Sequence, residues 1–447
     1  MIEGKGSLVQ VQKECMTDRM KTHLTLPNVL LVVAWLTCAL CGAFPGLNTL
    51  LSMVFLCCIL GCWKSNEFFC FIGLFVFFRE WMLIGGAATT VYRIYSYLMV
   101  LRFITDIRNA KIRISYLPAL LVFTVYLLFA VGKINMRFGL NMLADVLAIY
   151  IALTYIQQAP HGMSKLLFVM VFGAIASGIF GWTAEAMVVI NVGDGSTQIT
   201  RYYGAINDAN FAGFFYVVCG ITVMHLKMSR IIRVVLIGLF VFLLLQTTSL
   251  SAITLLIVTM LVWVILRFKS KAFLILFGIL IFAALATTAI WTIPALNSIP
   301  ELHSLIARIN EKFVFLQAGQ WELFTTDRLM IWKNAIRYFN DSSLLVKLFG
   351  GRVITLFYAD KAALGGLTTH QSNLQSIIDF GILGSIVVYG SFFAIWISRI
   401  VRYFVSPEKL EEEPYRRLEI LYMAMFFIFG LTVDFFLDWR YLLFFFI

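Results

Sequence analysis

Again and again this chain runs for about 17 to 25 residues with almost no charge, the length an α-helix needs to cross the hydrocarbon core of a bilayer. The runs fall at 27–44, 47–63, 68–86, 88–105, 115–133, 138–157, 166–190, 204–225, 231–248, 251–267, 272–291, 374–398 and 418–436. The weakest is 88–105, which carries Arg93 and Arg102, so the pattern predicts 12 or 13 transmembrane helices. A soluble core does not use that much apolar sequence: 61% of the chain is hydrophobic and 13% charged, against about 45–50% and about 25% in soluble domains. The expected fold is therefore all-α and polytopic, with residues 1–447 forming a single integral membrane domain.

A net charge of +11 needs a topological explanation before a nucleic-acid one. With the N-terminus inside, the inner connections collect Lys5, Lys13, Arg19 and Lys21, then Lys64, then Arg102, Arg108, Lys111 and Arg113. Further on they collect Lys227, Arg230 and Arg233, then Arg267, Lys269 and Lys271, then Arg399, Arg402, Arg416 and Arg417. The short outer connections hold little beyond Lys133, Arg137 and Arg201, so positive charge on the cytoplasmic side accounts for most of the excess. Pro27 to Phe44 lacks a small-residue cleavage site and is expected to stay as the first helix. Seven cysteines lie in apolar segments without metal-type spacing and are expected as small buried residues; Cys15 lies in the polar N-terminal stretch.

Two outer segments depart from short links: a connection around 191–203, and a loop from 292 to 371. At roughly 80 residues that loop is too long for a spacer. Inside it, SLIARINEKFVFLQ and TDRLMIWKNAIRYF space their apolar residues as helices do, and Thr326 would cap the second.

Chemistry under this topology concentrates outside. His370 directly precedes a polar helix start, QSNLQ, and an imidazole with a pKa of about 6.5 suits a general base near neutral pH. The alternative is a histidine that anchors the helix at the interface. Arg201 stands in ITRYYGAINDANFAG and Arg328 in TTDRLMIWKN, both beside helix starts, where guanidinium forks and free amides grip phosphate. Either arginine could instead snorkel to the interface. Arg79, Glu80, Asp145, Glu185 and Asp434 lie in or near spans and should face a cavity or one another, pairing being the expected role of Arg79. No phosphate-binding loop, zinc-protease motif, paired acidic metal motif or nucleophile elbow is present, so neither a metal nor another cofactor is expected.

Three stretches, in order, resemble the O-antigen ligase and polymerase family: RYYGAINDANFAG, TTDRLMIWKNAI, and LFGG (348–351) followed by THQSNLQSIIDFGILG. With the flanking spans they cover roughly residues 165 to 400. The chain differs in having Ala209 where a proline is usual, TTSLSAI where the family's outer turn carries an arginine, and Gln371 after the histidine. The resemblance implies a GT-C-type membrane glycosyltransferase, inverting and metal-independent, in the bacterial cytoplasmic membrane with its site extracytoplasmic. Its donor and acceptor would be undecaprenyl diphosphate-linked glycan, and a chain-length regulator protein is a partner expected by analogy. Arg201 and Arg328 would hold the diphosphate, His370 would serve the attacking hydroxyl, and Asn207, Asn210 and Asn373 would support them. Polymerisation of repeat units into O-antigen or capsular polysaccharide is the leading expectation. Ligation of finished glycan to lipid A core or another acceptor comes second, and a lipid-oligosaccharide flippase or transporter third.

Overall fold

The computed structural model describes residues 25–84, 89–106, 136–192, 197–268, 278, 299–326, 328–351, 371–405, 415–431, 440 and 443. The described chain is mostly helical. Its first part runs α1 (Leu26–Leu40), α2 (Asn48–Gly61), α3 (Glu67–Cys70), α4 (Ile72–Phe78), α5 (Val91–Thr105), α6 (Met136–Gln158) and α7 (Gly162–Thr183). After a β-hairpin come α8 (Ala209–His225), α9 (Arg230–Thr247) and α10 (Leu250–Phe268). The last part is α11 (Pro300–Gln317), α12 (Trp321–Phe324), α13 (Arg328–Asp341), α14 (Leu344–Phe349), α15 (Ser372–Val405) and α16 (Arg416–Gly430).

Among the described residues, α7, α9 and residues 250–267 of α10 are long and apolar enough to cross a membrane, and a bent pair within α15 would make a fourth span. That is compatible with an all-α membrane protein and falls short of the twelve or thirteen spans expected. Several of the other expected spans form shorter apolar helices, α1, α2 and α8 among them. The run at 115–133 and all of 272–291 but residue 278 lie outside the described residues, as do Asp434 and the N-terminal basic stretch that contributes to the expected orientation.

Two corrections concern strands. The expected span 68–86 ends at Arg79 and turns into a short antiparallel pair, β1 (Leu83–Ile84) with β2 (Thr89–Thr90). The expected loop at 191–203 is largely a second hairpin, β3 (Met187–Val192) with β4 (Thr197–Tyr202). Its sequence, MVVINV and TQITRY, is rich in β-branched and aromatic residues that suit a pleated surface.

Aromatic side chains and small residues hold the bundle. Phe55 packs edge-on against Phe71 and Phe75, and Phe75 in turn meets Tyr92 and Tyr95. Gly73 of α4 and Gly173 of α7 let those helices approach closely: a Cβ on Gly173 would sit 2.9 Å from the Phe77 ring. Of the charges expected to pair inside the bundle, Arg79 and Asp145 do so. Buried Asp145 accepts from Arg93 at 2.5 Å and from Arg79 at 3.4 Å, while Arg102 donates to the carbonyl of Ser65 at 2.7 Å. The described cysteines are free thiols, six buried and Cys57 exposed on α2.

The LFGG and DFGILG stretches meet backbone to backbone. Gly350 ends α14 at φ 86°, and Gly381 breaks α15 at φ 72°. A Cβ on Gly350 would lie 2.2 Å from the carbonyl oxygen of Asp379, and one on Gly381 would lie 2.4 Å from the carbonyl of Leu348. Both positions need glycine twice over, for the left-handed φ and for the contact. Gly381→Ala should lower stability by about 1–3 kcal/mol or more, read as a fall in the unfolding midpoint of the solubilised protein. Gly46→Ala, where a Cβ meets nothing within 4 Å, should leave that midpoint unchanged.

Candidate functional site

The site lies at the end of the bundle where α7 finishes, α8 begins, and α9 turns into α10. Hairpin register sets Arg201 opposite Val188, and the ladder continues as the Tyr203 amide donates to the carbonyl of Ala186. A 3-10 turn, Gly204–Ile206, then packs on α7, with the Ala205 amide donating to Ser177 Oγ at 2.9 Å. Asn207 adopts a left-handed conformation and Asp208 caps α8, its carboxylate accepting from the amides of Asn210 and Phe211. This corrects one expectation: those two amides are occupied by Asp208 and are not free for an anion.

Arg201 reaches across to the α9–α10 turn. Its Nε donates to the carbonyl of Thr247 at 3.1 Å, and a terminal nitrogen donates to Asn210 Oδ1 at 3.1 Å. The same Asn210 oxygen accepts from Ser249 Oγ at 2.8 Å. Thr248, left-handed in that turn, turns its own carbonyl to Arg308 of α11. Consecutive carbonyls of TTSLS thus hold two guanidiniums from distant parts of the chain. This is the turn that carries no arginine of its own.

Arg328 begins α13. The α11 helix straps it in place: Lys312, one turn beyond Arg308, donates to the carbonyl of Leu323 at 2.7 Å and to Thr326 Oγ1 at 3.1 Å. The expected cap moves by one residue, since Thr325 Oγ1 accepts the Leu329 amide while Thr326 is left-handed. Among the described residues, the Arg328 guanidinium has no hydrogen-bond acceptor.

The three guanidiniums lie within electrostatic reach of one another. Burial lowers the pKa of Arg308 to about 10, with Arg201 and Arg328 adding to the fall and Glu311 opposing it. Burial also lowers Arg201, with Asp208 opposing and Arg328 reinforcing. Burial lowers Arg328, and Asp208 opposes that too. All three stay charged at neutral pH, as arginine does. Three partly desolvated cations therefore have two carboxylates near them, Asp208 beside Arg201 and Arg328 and Glu311 beside Arg308, which leaves a local surplus of positive charge that a phosphate-bearing anion would relieve.

Sequence reasoning named Arg201, Arg328 and Asn210, which the fold brings together here. Arg308 was missed. Its only signal is its place on an amphipathic stretch, because nothing local shows that the stretch docks on the TTSLS turn. Asn207 points elsewhere, its Nδ2 donating to Glu80 Oε2 at 3.1 Å. His370 lies outside the described residues. The chain resumes at Gln371, whose side chain accepts the Leu374 amide at 3.1 Å and so caps α15, with Asn373 half-buried in the first turn. That turn packs against α13 through Leu374, Ile378, Ala335 and Tyr338, on the helix that Arg328 begins. Among the described residues no group of histidine, cysteine, aspartate and glutamate side chains could hold a metal ion. No family model matches this chain, and no curated protein matches it.

Asp208 acts both as a helix cap and as counter-charge, and the two roles separate by mutation. Asp208→Asn keeps the cap, so its unfolding midpoint should match wild type in high salt and fall in low salt, where the guanidiniums repel unscreened. Asp208→Ala should lose about a further 1 kcal/mol at every salt concentration. An Asp208→Asn protein indifferent to salt would remove the electrostatic role.

Proposed function

We propose that this chain is a membrane glycosyltransferase of GT-C architecture that polymerises lipid-linked oligosaccharide repeat units outside the bacterial cytoplasmic membrane. The observation that carries the reading is the convergence of Arg201, Arg308 and Arg328 at one end of an apolar bundle. A diphosphate that joins a lipid to a sugar carries one negative charge per phosphorus, and it would be drawn to the positive surplus that three arginines leave beside Asp208 and Glu311. Undecaprenyl diphosphate is the carrier that the resemblance implies.

In this mechanism the acceptor hydroxyl oxygen bonds to the anomeric carbon of the donor glycan as the bond from that carbon to the diphosphate oxygen breaks, with inversion. Charge grows on the departing diphosphate, and the guanidiniums stabilise it where it develops, so they act more strongly on the transition state than on the bound donor. His370 takes the proton of the attacking hydroxyl, a contribution of about 10²–10⁴-fold. Asn210 keeps Arg201 aimed, and α11 keeps Arg328 in place through Lys312.

Arg328→Ala and Arg308→Ala should each abolish polymer while leaving the protein in the membrane. Lysine at either position should restore little, because a point charge does not replace the bidentate fork. Normal-length polymer from either alanine variant would overturn the assignment. With purified protein and lipid-linked repeat unit, laddered products on the carrier support polymerisation. A capped acceptor without a ladder would make the protein a ligase instead, and movement of substrate across liposomes with no new glycosidic bond would make it a transporter.

A further inference from the structure

An apolar cleft of about 250 Å³ lies between α8, α9 and α10, lined by Tyr216, Gly220 and Met224 of α8, Leu244 and Ile237 of α9, and Met260 of α10, among others. We propose that it holds the first isoprenoid units of the lipid whose diphosphate rests on the arginines, a proposal that rests on the function argued above.

Position is the first argument. Leu244 lies one helical turn from Thr247, whose carbonyl holds Arg201, and the lining of α9 then descends seven residues to Ile237, about 10 Å at the rise of an α-helix. The cleft therefore starts just beneath the cations and runs down into the apolar part of the bundle. Chemistry is the second. Every lining residue is apolar except Tyr216, whose hydroxyl is turned toward Ser177 and the Gly204 turn at the floor of the site. Access is the third. Val241, on the lip, is 41% exposed, so a chain can enter sideways from lipid. Size sets how much of the chain fits: an apolar cavity of about 150 Å³ accepts benzene, so this one takes a short segment and leaves the rest in the bilayer. A second apolar cleft of about 260 Å³, between α10, α15 and α16 around Trp396 and Ala424, includes Leu266 near the far end of α10 and so lacks the link to the arginines.

Gly220 gives a clean way to block the cleft. A Cβ there meets only Phe240 Cβ, at 3.6 Å, which is ordinary contact, so Gly220→Phe starts a bulky side chain from the wall of the cleft without a clash at its Cβ. Purified protein in nanodiscs would be given two donors with the same glycan diphosphate, one on a long polyprenyl chain and one on a two-unit, water-soluble chain. For Gly220→Phe, and for Val241→Trp at the lip, KM for the long-chain donor should rise about tenfold or more, while turnover of the short-chain donor falls less than about twofold. Ala424→Trp, in the distant cleft, should change neither. Variants that treat both donors as wild type does, or that lose both alike with the unfolding midpoint unchanged, would overturn the cleft assignment and leave the proposed function standing. Wild-type protein that turns over neither donor would bring down the function and the cleft together.

Discussion

Like charges repel, and the end of this bundle is built around holding three guanidiniums together against that repulsion. The means are backbone carbonyls. Thr247 and Thr248, adjacent in the turn between α9 and α10, present their oxygens to Arg201 and Arg308. At a helix end such carbonyls lack an intrahelical partner, and the partial negative charge they carry favours a cation. The hairpin, the α8 cap and the α11 strap all converge on this turn. Weakening it would release the cations from one another and uncouple three separate stretches of chain.

The rest of the fold keeps that turn where it is. Aromatic edge contacts fill the interior between α2, α4 and α5, and glycines at the α4–α7 crossing let backbones come close enough to fix the height of the Gly204 turn. On the other flank, the contact between Gly350 and Gly381 locks α14 against the break in α15. It also fixes α13, and hence Arg328, against the first turns of α15. Because two φ angles and two close approaches must be satisfied together, this contact offers one arrangement and no sliding alternative.

Legibility in the sequence followed the range of each signal. Apolar periodicity placed most helices within a few residues, and α11 and α13 emerged from their amphipathic spacing. The β3–β4 hairpin was missed although its β-branched runs are local, because its apolar residues were counted into the preceding span and its polar ones into a loop. Arg201 and Arg328 were legible as cations beside helix starts. Arg308 was not: only the docking of α11 on the TTSLS turn distinguishes it from any arginine on an amphipathic helix, and docking is a tertiary fact. The same holds for Asp208, which reads as an N-cap and acquires its second role only when the arginines arrive.

A second cluster of charge at the same end of the bundle sharpens what is distinctive about the first. Arg79 and Arg93 also share one carboxylate, Asp145, and both lie against the ring of Tyr92. There the acid is buried and accepts from both arginines directly, so the group reads as a brace between α4, α5 and α6, of the kind whose disruption strands a buried charge. Around Arg201 the carboxylate is already committed to the amides of α8, and Arg201 and Arg308 are held by neutral carbonyls and an amide oxygen. Neutral acceptors orient a guanidinium without cancelling its charge. The two clusters therefore use the same residue types to opposite ends, one to neutralise charge inside the fold and the other to leave it uncancelled, as the proposed diphosphate site requires.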